Sequence, residues 1–598
     1  MDKIKNITKK EGVAGLLKSP YIRGFIKKYF INYLIGILFL VLIDFLQTRI
    51  PVIIGRIFDG LKLNTMLGSE ITTNLIWIGI LAVIIVSGRV AWRFFIFGTA
   101  RKIERDIRND LFAHLEELSL NYYHQHKTGE IMAFITNDLE AVRQAMGQGI
   151  MMVFDIFFLL VFILAQMVST ISWQLTVASV IPLIIIAIIT RLLGPVLFKK
   201  YVARQEAFAK ISDFVQEDMS GIKVIKAFVQ QDKEIEAFKE VNKSYFKNNI
   251  NLFKTQALMD PLMNVISGLS FAIAIGYGGY LAVNSTISLG DYTVFIQFLG
   301  MLVWPMMAVG MSINMITLGS ASLKRIESIL YAKPEIVDSP NATAPEQFVG
   351  SIEVKNLTYS YPENDTVVLK NISFEVKAGQ TLGIVGRTGC GKTTLMNLMV
   401  RLYEPSSNTI FISGKDILDM PLKVLRGNIG YVPQDNFLFS NTIKNNVDFV
   451  DGQKTMEEVI GATEFSCVHD NIVEFTQGYE TIVGERGVTL SGGQKQRISI
   501  SRAYINSPEI LILDDSVSAV DTDTEEKILE NIAKFRKNKT NIIIAHRLSA
   551  LQNADNIIVI DQGEIVEQGT HKQLIKNKGL YYSLHKKQQL EKMIDEQE

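Results

Sequence analysis

The chain has 598 residues, more than one hydrophobic core supports, so at least two domains are expected. Its 61 Lys and Arg balance 61 Asp and Glu, which gives no general pull towards nucleic acid; the two cysteines, Cys390 and Cys467, are too few for a disulfide framework and lack metal-ligand spacing. A mean hydropathy of +0.20 alongside 20% charged residues requires apolar residues to be concentrated in part of the chain.

The N-terminus is basic as far as Lys28, and the apolar stretch behind it is too long for a signal-peptide core, so it reads as a retained membrane anchor. Six apolar stretches are long enough to cross a bilayer: Phe30 to Ile54, Leu75 to Phe97, Ile150 to Ile171, Leu175 to Phe198, Leu262 to Val283 and Tyr292 to Leu318. An even count puts both termini on one side. Lys3, Lys5, Lys9, Lys10, Lys18, Arg23, Lys27 and Lys28 precede the first stretch. Arg101, Lys102, Arg105 and Arg108 follow the second, and Lys199, Lys200 and Arg204 follow the fourth. The opposite loops, Ser172 to Gln174 and Asn284 to Asp291, carry neither Lys nor Arg, so both termini are expected in the cytosol.

The long inner connections, Arg101 to Gly149 and Lys199 to Asp260, read as helices continuing out of the membrane, with Arg105, Arg108, Phe112, Leu115 and Leu118 at helical spacing. Of the charges in or near the spans, Arg56, Asp59 and Arg191 are expected near an interface. Arg89, Arg93 and Asp155 sit deeper, either as a buried ion pair or lining a cavity; Asp44 is a further charge within the first stretch.

A polar linker, Ala332 to Glu346, contains Pro334, Pro340 and Pro345; beyond it short apolar runs alternate with helical ones, the pattern of an α/β domain. The expected organisation is an all-α six-helix transmembrane domain over 1–330, a linker over 331–350 and an α/β domain over 351–598. In the last, Gly386-Arg387-Thr388-Gly389-Cys390-Gly391-Lys392-Thr393 lies between the strand-like Thr381 to Val385 and a helix-like run from Thr394, and matches the P-loop spacing. Its glycines let backbone N–H groups close around phosphate, Lys392 reaches the β- and γ-phosphates, and the Thr393 hydroxyl is a Mg²⁺ ligand; Thr394 is counted with the ATP-binding residues. Asp514 ends the buried strand Ile510 to Asp514 and is placed to hold Mg²⁺ through water. Gln434 follows another strand and is a candidate sensor of the γ-phosphate or Mg²⁺. His546 is a candidate γ-phosphate contact or a structural histidine, and Tyr361 an adenine-stacking ring or a plain aromatic. Cys390, beside Lys392 at a helix N-terminus, is expected to be a reactive thiolate.

Leu490-Ser491-Gly492-Gly493-Gln494 opens a helix far from the P-loop, a second phosphate-binding turn. With this set the chain resembles the ABC transporter family over essentially its whole length, with six spans ahead of the nucleotide-binding domain as in type I exporters. That resemblance implies that the second turn is the signature, contacting ATP held by another domain's P-loop, so that the chain dimerises. It also implies Ser518, Ala519, Val520 and Asp521 as the D-loop and Thr481 to Gly487 as the segment meeting the intracellular loops. Coupling helices are implied near Leu118 to His126 and Phe214 to Ile222.

One position departs from the family. Exporters with two equivalent sites carry Glu after the Walker B Asp, as base for the attacking water; Asp515 is one methylene shorter, and a misplacement of about 1 Å costs on the order of 100-fold in rate. A slow site with an intact signature resembles the bacterial heterodimeric multidrug exporters. Asp514-Asp515-Ser516 and the closing segment Tyr581 to Glu591 resemble their MdlA/YheI-type subunits. The reading is a cell-membrane ATPase, one half of a two-chain exporter, with Asp515, His546 and Gln434 as catalytic groups, ATP and Mg²⁺ (Thr393, Gln434, Asp514) as cofactors and a second half-transporter as partner. A homodimeric exporter of lipid or peptide, and an ATP-gated regulatory protein, remain as alternatives.

Overall fold

The computed structural model describes residues 16, 18–362, 366–450, 452–484, 487, 489–518 and 520–595. Lys3, Lys5, Lys9, Lys10, Glu485, Arg486 and Ala519 lie outside the described residues. The chain forms two compact units, one from Met1–Glu116 and Thr128–Ala332, the other from Glu117–Lys127 and Lys333–Glu598.

Among the described residues six helical stretches, lying almost wholly in the first unit, are long and apolar enough to cross a membrane: Phe30–Lys62, Gly68–Glu117, Thr128–Ile171, Trp173–Ser220, Gln231–Val283 and Leu289–Leu330. The second has 50 residues and so extends about 75 Å, against roughly 30 Å of hydrocarbon core. Its apolar part is exposed at Val83 and Phe94, as lipid contact requires, whereas Ile103, Ile107, Leu111 and Leu115 beyond it are buried at four-residue steps. Of the stripe expected from Arg105, Arg108, Phe112, Leu115 and Leu118, only Leu115 and Leu118 are buried, which corrects the other three. Arg105 pairs with Asp106 and Arg108 with Glu104 at 2.7 and 2.6 Å on the solvent side, and Phe112, which shares the face of Arg105 and Arg108, is exposed with them.

Charges near the spans are held by polar groups. Asp59 accepts from Ser288 Oγ and Gly290 N, both at 2.6 Å, tying the first span to the start of the last. Arg89 donates to Gln47 Oε1 at 2.9 Å, and the Arg93 guanidinium lies 5.5 Å from the Trp92 ring centroid. Asp138 accepts from Ser322 Oγ at 2.8 Å and Arg325 Nε at 3.0 Å. The fourth long helix ends at Ser220, and after Gly221 a short helix runs over Ile222–Ala227. The second coupling helix was expected near Phe214 to Ile222; Gly221 interrupts the helix there, and the short helix starts only at Ile222, the last residue of that range. None of its residues is buried, and Val224, Phe228 and Val229 are 61, 70 and 77% exposed.

The second unit contains two sheets. A four-stranded antiparallel sheet has the order β2 (Val367–Val376), β1 (Ile352–Ser360), β4 (Ile410–Ile412), β5 (Lys415–Asp416). A six-stranded sheet has the order β10 (Glu564–Gly569), β9 (Asn556–Asp561), β3 (Thr381–Gly386), β8 (Thr540–Ile544), β7 (Ile510–Asp514), β6 (Ile429–Val432). All its pairings are parallel except β9 with β10. β7 and β8 are buried at every position, the near-continuous apolar runs expected of parallel strands covered on both faces. Parallel strands bring their C-terminal ends to one edge, where open α/β sheets bind ligands.

Candidate functional site

Four chain segments leave that edge: the P-loop after β3, Asp514 and Asp515 from β7, Gln434 after β6 and His546 after β8. Together with Thr388, Gly389, Gly391, Lys392, Thr393 and Thr394 they line one cavity of about 250 Å³. The P-loop closes into α1 (Lys392–Met399), whose N-cap Gly391 has φ +103°, and a Cβ there would lie 2.6 Å from Leu369 Cδ2. A Cβ on Gly386 would meet Ile560 O at 2.1 Å, so both glycines are fixed by backbone geometry or packing. Lys392 Nζ donates to the carbonyls of Gly386 and Arg387, each at 2.9 Å.

Asp514 is 2% exposed and its Oδ2 has no hydrogen-bond partner among the described residues. Burial pushes its carboxyl above the usual range, opposed by a hydrogen bond with the Thr393 side chain and by the Lys392 charge, and reinforced by Asp515. A buried carboxylate with a free oxygen beside a hydroxyl is the donor set of a Mg²⁺ that arrives with phosphate, and no cluster of three or more His, Cys, Asp and Glu among the described residues offers a cage of its own. Asp515 has φ +50°, a conformation Asp tolerates, with its N–H on Ile544 O at 3.0 Å. His546 Nε2 lies 3.8 Å from Asp515 Oδ2, beyond hydrogen-bond reach.

Tyr361 donates to or accepts from Thr394 Oγ1 at 2.9 Å and packs edge-on to Tyr403, with ring centroids 5.1 Å apart. Tyr403 OH is in turn 3.0 Å from His124 Nε2 in the Leu120–Gln125 helix, so the segment after the second span reaches the P-loop helix through three side chains. Ser119 and Asn121 also donate to Glu335, each at 3.0 Å. Cys390 departs from expectation. It is 5% exposed, and burial pushes its thiol up, outweighing the Lys392 charge, so a reactive thiolate is not favoured. Burial raises Cys467 as well.

The signature stands apart from this cavity. Ser491 is the N-cap of α2 (Gly492–Tyr504), accepting from Gln494 N at 3.3 Å while Gln494 Oε1 accepts from Ser491 N at 3.0 Å, a capping box. Leu490 is buried, Ser491 and Gly492 are exposed, and none of the signature residues lines the P-loop cavity. Of the D-loop, Val520 is buried and Asp521 caps α3 (Thr522–Phe535); the Thr524 N–H and hydroxyl hold its carboxyl below the usual range. Ser518 Oγ donates to Asp515 O at 3.0 Å.

Sequence reasoning missed two residues here. Arg547 donates to Glu525 Oε2 at 2.8 Å and to Val520 O at 3.3 Å, tying the loop of His546 to the D-loop. Gln588 grips the same loop from the C-terminal helix. The charge of Arg547 beside His546 was a visible signal for the first, whereas nothing in a polar helical tail marked the second.

A P-loop cavity at the edge of a parallel sheet, a separate signature turn and six spans in one polypeptide define an ATP-driven membrane transporter of the exporter type. Residues 33–306 match the ABC transporter transmembrane region and residues 369–518 the ABC transporter family model. The chain belongs to the ABC transporter family, as a multi-pass membrane protein with its membrane and ATP-binding domains fused, and it is an ABC-type ATPase. It is 39% identical to the probable multidrug resistance ABC transporter ATP-binding/permease protein YheI of Bacillus subtilis (strain 168), over 95% of this chain and 97% of that protein. It is 36% identical to the multidrug resistance-like ATP-binding protein MdlA of Escherichia coli (strain K12), over 94 and 95%. Among solved structures, a bacterial Atm1-family ABC exporter with ATP bound superposes with a TM-score of 0.80 at 26% identity, covering 94% of this chain and 98% of that one.

Proposed function

We propose that this chain is one half of a two-chain exporter that moves amphipathic or hydrophobic compounds out of the cytoplasm, with both termini cytosolic. The observation that carries the reading is the separation of the signature from the P-loop cavity: an exposed, capped phosphate-binding turn has no phosphate to serve within its own chain. The apolar residues exposed around Ile222–Ala227 support the same conclusion, since a short helix with no buried residue needs a partner surface. The names of the multidrug-resistance relatives support a drug-like cargo.

The roles follow from position. Lys392 and the P-loop N–H groups bind phosphate, Tyr361, hydrogen-bonded to Thr394, is assigned to the adenine, and Thr393, Asp514 and Gln434 would hold Mg²⁺, which would neutralise charge on the transferred phosphoryl group. Asp515 is the only carboxylate beside Asp514 in the cavity lining, and it is short for a general base, so this site holds ATP and cleaves it slowly. The second half would then be a different chain with Glu at that position. Affinity purification of the tagged chain from its native membrane is expected to bring down a second half-transporter in equal amount. Recovery of a self-paired chain that pumps by itself would overturn the two-chain reading.

A further inference from the structure

β8 makes its last ladder pairs at Ile544, with Ile384 on one side and Asp514 on the other. Backbone groups beyond that point must find other partners. Two of them, on either side of Arg547, find the same side chain: Gln588 Nε2 donates to His546 O at 2.5 Å, and Gln588 Oε1 accepts from Leu548 N at 3.0 Å. The amide thus brackets Arg547 as one residue of a neighbouring parallel strand would. It reaches the loop from α4 (Leu580–Asp595), whose residues Tyr581, Leu584 and Gln588 share one helical face. Tyr581 is fully buried in a cluster with Leu551 and Leu574, Leu584 packs against that cluster, and Tyr581 OH lies 2.7 Å from His571 Nδ1.

We infer that Gln588 is a positioning residue for His546: the C-terminal helix, anchored by Tyr581, holds the main chain of residues 546–548 so that the imidazole faces the γ-phosphate position of the P-loop cavity. The side chain of Arg547 secures the same loop from the other side through Glu525 and Val520, so the loop is clamped between the D-loop and the C-terminal helix. Loss of Gln588 removes the ties at both of these main-chain atoms, and the imidazole is released towards solvent, where it is already 42% exposed. The inference rests on His546 as the γ-phosphate contact, and it holds whether the second half is a copy or a different chain.

The test is the affinity of this chain's own P-loop for Mg-ATP and for Mg-ADP, measured in the assembled, membrane-reconstituted transporter by displacement of a photoreactive nucleotide that labels this chain. His546→Ala is the reference. Gln588→Ala is expected to weaken Mg-ATP about tenfold, the value of a hydrogen bond to a charged group, while Mg-ADP changes less than about twofold. Gln588→Glu keeps the shape and the acceptor for Leu548 but loses the donor to His546, so it is expected to fall between wild type and Gln588→Ala and guards against misfolding of the truncated variant. In the His546→Ala background, Gln588→Ala is expected to add nothing. Equal loss for ATP and ADP, additive losses in the double variant, or no loss in Gln588→Ala beside a clear loss in His546→Ala would each overturn the positioning role. No shift in either single variant would remove His546 from the γ-phosphate and the inference with it.

Discussion

Asp514 carries the main electrostatic strain of the site. Its folded-state pKa is raised above the unfolded value, so the folded protein binds the proton more tightly, and the penalty for ionising Asp514 is absent below the unfolded value and fully present above the folded one. At neutral pH this residue therefore destabilises the nucleotide-free protein. Asp514→Asn is expected to raise the Tm of the nucleotide-free chain at pH 7 and to lose that advantage as the pH is lowered towards 4, while turnover at this P-loop is lost; a lower Tm at pH 7 would contradict the assignment. Cys390 illustrates what the sequence withholds at this scale. Its neighbours in the chain, Lys392 and a helix N-terminus, predicted a thiolate, but the thiol packs under β3 and β9 beside Gly386 and Ile560, and that burial outweighs the nearby charge. Charge adjacency is written in the chain; enclosure by a strand some 170 residues later, β9, is not.

At the scale of elements, Ser491 caps α2 and, under the proposed function, also forms the phosphate-binding turn, two jobs for one residue. Ser491→Asp separates them. Asp is as good an N-cap as Ser, so stability is expected to change by less than about 0.5 kcal/mol. The added carboxylate repels the γ-phosphate that docks there, so turnover of the assembled exporter is expected to fall about tenfold or more, with Mg-ATP binding at Lys392 and Thr393 unchanged. Retained turnover, checked beside the unfolding curve, would refute a role for this turn at another chain's ATP. The elements themselves were largely legible. Apolar runs of about 20 residues located all six spans, and the apolar runs ending in Val385, Asp514 and Ile544 fell on β3, β7 and β8. The extramembrane helices were less so. The stripe read over 101–118 ran through Arg105, Arg108 and Phe112, which ended on the outside with the ion pairs of Arg105 and Arg108, whereas the buried face carries Ile103, Ile107 and Leu111. Only Gly221 marked where the second short helix begins. Gln588 was illegible because its partners are main-chain atoms, which carry no residue type.

For the whole molecule, the P-loop cavity and the signature belong to one unit yet do not meet, which under the proposed function means that a working ATP site takes one part from each of two chains. Among the described residues the membrane unit supplies six long apolar helices, and in the other unit the Leu120–Gln125 helix reaches the P-loop helix through His124, Tyr403 and Tyr361. Under the proposed function the two sites of the assembled exporter are unequal, because this chain offers Asp515 where its partner offers Glu. Steady-state ATP turnover of the purified pair tests it most directly, comparing Asp515→Asn in this chain with Glu→Gln at the matching position of the partner. Removing a general base costs about 100-fold or more, so the partner's substitution is expected to come close to abolishing turnover, while Asp515→Asn leaves most of it. Equal losses from the two substitutions would contradict the account.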